Sequence, residues 1–180
     1  MKKLLLLFAC LFGMTYSLQA QKLVDGSLDF LKGETTLTVI YDYSEMQLEQ
    51  MSMKDFLFVR FPQVDKREKW FKSWNEETIP DLKEKFLLNF NKALINNKVS
   101  LRSIDAEKSN YQATIKVLSV TKKGNTTADV IFTRVNSNEP LAKISIFAKG
   151  GHYGTLENLM GDGSKHLGTK LALFIAKKIR

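Results

Sequence analysis

From Tyr111 to Ala148 the sequence alternates apolar and polar residues through three successive runs, with turn residues at each break. Tyr111, Ala113, Ile115 and Val117 alternate with Gln112, Thr114 and Lys116, the period-two pattern of a half-buried strand. Lys123-Gly124-Asn125 supplies turn chemistry, because Gly and Asn accept positive φ at little cost. Ala128 to Val135 is a second strand rich in β-branched and aromatic residues, and Asn136 to Pro140 is a second turn. Ala142, Ile144, Ile146 and Ala148 then set an apolar face against Lys143, Ser145 and Lys149. An antiparallel meander with one dry face requires something packed on it.

The flanking segments supply that packing. Thr35 to Tyr43 reads as a strand, with Asp42 near its polar end. Ser52 is placed to cap a helix from Met53 to Arg60, with Asp55 as its capping partner. Asp65 caps a second helix bearing Trp70, Phe71 and Trp74. Pro80 starts a third from its first turn, where the missing N–H costs nothing. Leu82, Phe86, Phe90 and Ala93 give that third helix an apolar stripe, and Val99 to Ile104 reads as a short strand. Leu167, Leu171, Phe174, Ile175 and Ile179 mark one face of a final helix, with Asp162 or Ser164 as its cap. Lys177, Lys178 and Arg180 sit at its carboxyl end, where cations suit the helix dipole. The order predicts a two-layer α+β domain over residues 34–180. Its one mostly antiparallel sheet of four to five strands is covered on one face by helices.

The first 20 residues follow a different logic. Lys2-Lys3, an apolar run from Leu4 to Met14, and a more polar approach to Ala20 make a secretory signal peptide, with cleavage expected between Ala20 and Gln21. The run is shorter than the about 20 residues that a membrane span needs, so no transmembrane helix is expected after its removal. Residues 21–33, broken by Gly26 and Gly33, read as a flexible lead-in. The single cysteine, Cys10, stands in Leu7-Phe8-Ala9-Cys10, a poor match to a lipoprotein acylation signal because Phe8 is large. Without Cys10 the mature chain has neither a disulfide nor a thiolate metal site. Export places the mature chain in the periplasm, at the outer membrane or outside the cell.

The formal charge is +8; Lys2 and Lys3 belong to the leader, and the remaining 25 basic and 19 acidic residues leave +6. That excess is spread along the chain, which suits mild attraction to anionic surfaces but marks no nucleic-acid stripe. His152 and His166 have no metal-ligand spacing, and no calcium loop or cofactor motif is present, so no cofactor is expected. Asp162, Ser164 and His166 crowd within five residues, whereas catalytic triads gather distant segments. Gly161-Asp162-Gly163-Ser164 reads as a structural loop; the rival reading, an anion cradle at a helix start, is opposed by Asp162 itself. Trp70 and Trp74 read as core residues, with an exposed platform for sugar or a partner as the alternative.

Tyr41 to Ser44, the lysine-flanked Trp70 and Trp74, and the segment Ser164 to Leu171 together resemble small secreted proteins of the Bacteroidetes with no assigned activity. The order of elements is also similar to small periplasmic α/β modules of the cell envelope. Neither resemblance carries catalytic residues. The leading expectation is a non-enzymatic exported domain that binds a partner, such as another envelope protein. Its expected surface is the polar sheet face with Lys116, Lys143, Phe147 and Lys149. A glycan- or peptidoglycan-directed hydrolase, with Asp42 and Trp70 or Trp74 in one cleft, is the alternative from another class. Binding to an anionic membrane surface is a third.

Overall fold

The computed structural model describes residues 21–104 and 109–180. The expected leader, Cys10 and the expected cleavage position before Gln21 lie at the edge of or outside the described residues. Among the described residues eight strands form one mixed sheet, in the order β1 (Gln21–Gly26), β8 (Ala142–Ala148), β7 (Thr126–Arg134), β6 (Tyr111–Val120), β2 (Thr36–Asp42) and β5 (Arg102–Ile104). The two-residue strands β3 (Gln47–Leu48) and β4 (Met51–Ser52) join at β6.

The meander is present as an antiparallel run β6–β7–β8. The sheet is larger than expected and less uniform, because β2 runs parallel to both β5 and β6. A parallel pair requires a long crossover. The helices between β2 and β5 supply it. The expected lead-in is not separate from the sheet: β1 pairs antiparallel with β8, and a 3-10 turn, Asp29–Leu31, buries Leu28 and Leu31. β1, β3 and β4 were illegible for one reason. They are short or polar, and their pairing is decided by distant partners.

The helices are α1 (Met53–Arg60), α2 (Val64–Ser73), α3 (Ile79–Asn96) and α4 (Leu156–Ile179). Ser52 caps α1 as expected, accepting from the Asp55 N–H at 3.1 Å and donating its hydroxyl to the Asp55 carboxylate at 2.6 Å. Asp65 does not cap α2, whose first residue is Val64 and whose N-cap, Gln63, makes no side-chain bond. Nor does Pro80 open a new helix after a break. α2 and α3 are joined by a π-helical turn, Trp74–Thr78, in which the Ile79 N–H reaches back to the Trp74 carbonyl. A wider turn relieves the clash a proline ring would otherwise make with the carbonyl four residues earlier.

α4 also begins earlier than expected. Thr155 is its N-cap, and Gly161, Asp162, Gly163 and Ser164 lie inside it. The glycines there serve close packing. A Cβ on Gly168 would stand 2.5 Å from the Phe86 carbonyl oxygen of α3, and one on Gly163 would stand 2.3 Å from the Gly124 oxygen. Ser164 donates its hydroxyl to the Leu82 carbonyl at 2.6 Å, tying α4 to α3 at the same level.

One face of β6, β7 and β8 is buried and shares a core with Phe86, Phe90, Leu167 and Leu171. α2 contributes no fully buried residue, so the helices do not make one continuous layer over one face of the sheet.

Candidate functional site

Residues of the sheet's accessible face fall into register as a row of charges. Asp42 pairs with Lys116, Lys116 with Asp129, Asp129 with Ser145, and Ser145 with Lys22, across five strands. The basic members are largely answered. Lys116 reaches Glu45 at 2.7 Å, and Lys143 reaches Asp129 at 2.7 Å. The hydrogen bond to Glu45 raises the Lys116 pKa above the usual lysine range, so it stays charged. Asp42 is held below the usual carboxylate range by the hydroxyl and N–H of Ser44. Lys116 and Lys143 therefore share a face as expected, but as a lattice of opposite charges rather than a free basic patch.

The two tryptophans lie elsewhere. Trp74 is 3% exposed, stacks on the half-buried Trp70 at 5.2 Å between ring centroids, and meets Tyr43 edge-on at 6.1 Å. From Tyr43 the rings continue through Tyr41 and Phe86 to Phe90. Trp74 is thus core, and the exposed-platform reading has only Trp70 left to stand on. Successive strand residues face opposite sides, so Asp42 points away from the side on which Tyr43 meets Trp74. The cleft required of a hydrolase would have to join groups on opposite sides of β2.

A crevice of about 20 Å³ lies beside this ring series, lined among others by Tyr41, Tyr43, Thr126 and Ser164. The Tyr41 hydroxyl is buried and has no hydrogen-bond partner among the described residues, while Thr126 and Ser164 bond to backbone carbonyls. Burial pushes the Tyr41 and Tyr43 phenols above the usual tyrosine range. Asp162 and His166 do not join Ser164. Asp162 is bound to Lys165 at 3.0 Å, and His166 Nδ1 lies 2.6 Å from the Lys149 carbonyl oxygen.

A groove of about 520 Å³ lies between β1 and the last turns of α4. β1 lines it with Gln21, Lys22 and Leu23; α4 lines it with Leu173, Phe174, Lys177 and Lys178. Leu173 is 44% exposed at its floor. Lys178 lies over the Phe174 ring, 5.8 Å from its centroid. Lys22, Lys177 and Lys178 have no carboxylate within ion-pair distance among the described residues. Phe147 and Lys149, two of the expected surface residues, follow Ile146, the β8 partner of Gln21. Lys170 donates to the Phe147 carbonyl at 2.8 Å. Burial, and then the nearby Lys149, lower the Lys170 pKa below the ordinary lysine value. The lysines of β1 and α4 were missed because one wall looked like a lead-in and the other like dipole-matched helix ends. Only the β1–β8 pairing brings the two walls together.

No family model matches the chain, and no curated protein matches it. Among solved structures it is similar to the PelC dodecamer from Paraburkholderia phytofirmans, with 9% identity and a TM-score of 0.43 over 89% of this chain and 98% of that one. A leucine-to-methionine variant of that PelC dodecamer gives 10% identity and a TM-score of 0.40 over 89% and 99%. Likeness at this level says nothing of what this chain binds or how it assembles. No helix among the described residues is long and apolar enough to cross a membrane.

Proposed function

We propose that this chain is an exported cell-envelope or secreted domain that acts by binding, and that its partner is acidic and seats in the groove between β1 and α4. Export rests on the basic, apolar and small-residue order of the first 20 residues. The binding reading rests on one observation: lysines stand on both walls of an apolar-floored groove that, among the described residues, no acidic side chain lines. Such a surface attracts anionic groups, and its floor rewards apolar contact.

The test is an NMR titration of the chain from Gln21 onward with polyglutamate at low and high salt. The amides of Lys22, Leu173, Lys177 and Lys178 are expected to shift, and the response to weaken as screening rises. Shifts confined to the Lys116 and Lys143 face, or none, would overturn the assignment. Anionic vesicles form a second arm. Sedimentation with vesicles, combined with no response to polyglutamate, would move the partner from an acidic chain to a membrane surface.

A further inference from the structure

We infer that the groove takes an extended acidic peptide, which joins the sheet as a ninth strand on the free edge of β1; this rests on the binding reading above. Three observations meet at that edge. β1 is terminal in the strand order and pairs only with β8, so one side of its backbone is unsatisfied among the described residues. An open edge of this kind is a template for another strand. Leu173 and Phe174 of α4 line the groove together with β1, so a strand added there has apolar side chains beside it. The charged groups lining both walls are lysines with no ion-pair partner among the described residues, Lys178 also acting at longer range on Asp29.

The geometry also says what the strand should carry. Side chains alternate across a strand. Leu23 is in register with buried Ile144, and Lys22 with accessible Ser145. An added strand therefore places one set of side chains beside Leu23 and Leu173, where apolar groups fit. The other set lies beside Lys22, where carboxylates fit, and an acidic end reaches Lys177 and Lys178. A second copy of this chain is the competing occupant at this edge, because β1 carries Asp25 as well as Lys22. A bilayer offers no backbone groups to the edge. The irregularity between Leu23 and Asp25 further limits pairing to a short segment.

The experiment uses the chain from Gln21 onward and a blocked hexapeptide alternating valine and glutamate, with binding read by amide shifts. Two further peptides carry N-methyl groups on alternate residues, one set at the valines and one at the glutamates. In a single register only one set of peptide N–H groups faces β1. One methylated peptide is expected to lose affinity by about tenfold or more, and the other to bind like the parent. Lys22→Glu/Lys177→Glu/Lys178→Glu, all at exposed positions, is expected to abolish binding of the parent.

If both methylated peptides bind like the parent while the triple variant does not, strand pairing is overturned and the groove reading stands. If the parent fails to bind, or binds the triple variant equally well, the groove reading falls with it. Self-association of the chain that the peptide does not compete with would assign the edge to a second copy and overturn the inference.

Discussion

α2 and α3 are parts of one helical rod, and both segregate apolar from polar side chains to a similar degree. Yet α3 buries Leu82, Phe86, Phe90, Ala93 and Leu94, while α2 buries nothing fully. The difference lies in what faces them. α3 meets α4 at Gly168, where the missing side chain lets the backbones approach. α2 is held mainly through Trp70, which stacks on Trp74 and touches Phe56 and Phe61, and through Arg67, which donates to the Phe61 and Pro62 carbonyls. Phe71 remains 50% exposed and Phe58 54%. Amphipathic spacing says which side of a helix is apolar; a partner surface decides whether that side is covered.

The contrast can be broken at several points. Gly168→Val should do most damage, about 3 kcal/mol or more in urea denaturation, because the added atoms meet the α3 backbone, which cannot swing aside. Phe90→Ala, at 0% exposure, should cost about 3–5 kcal/mol by the same measurement. A loss below 1 kcal/mol would show that the α3 stripe is not the core. Trp70→Ala should cost less, about 1–2 kcal/mol. Hydrogen exchange should then show faster opening in α2 with α3 unchanged. Equal loss of protection in both helices would mean that they unfold as one unit. Phe71→Ser should stay within about 0.5 kcal/mol.

The smallest effect at neutral pH belongs to the tyrosines beside that junction. Burial raises the pKa of Tyr41 and Tyr43, so the folded chain holds their protons after the unfolded chain has released them. Stability should therefore be unchanged at pH 7 and fall as pH climbs past the ordinary tyrosine value of about 10. Absorbance titration should show both phenols ionising only with unfolding. Ionisation of Tyr43 at its ordinary pKa in the folded chain would contradict its burial.

The surfaces repeat the lesson in charge. Lys116 and Lys143 stood out in the sequence because they alternate with apolar residues, yet Glu45 and Asp129 answer them. Asp129 lies on the neighbouring strand, and its position beside both lysines depends on the β6–β7 and β7–β8 registers. Lys22 and Lys177 looked ordinary, yet among the described residues neither has an ion-pair partner in the groove they line.

By itself the sequence determined the meander, the α1 cap at Ser52, the α3 stripe, and the polarity of α4 with Lys177 and Lys178 at its end. Each of these rests on spacing or on a contact within a few residues. Tertiary structure alone decided the addition of β1 to the sheet, the parallel placement of β2, the π turn that carries the rod past Pro80, and the role of Gly163 and Gly168 as contact points within α4. Those depend on groups far apart in the chain. A short strand or a small side chain takes its meaning from whatever backbone comes up against it.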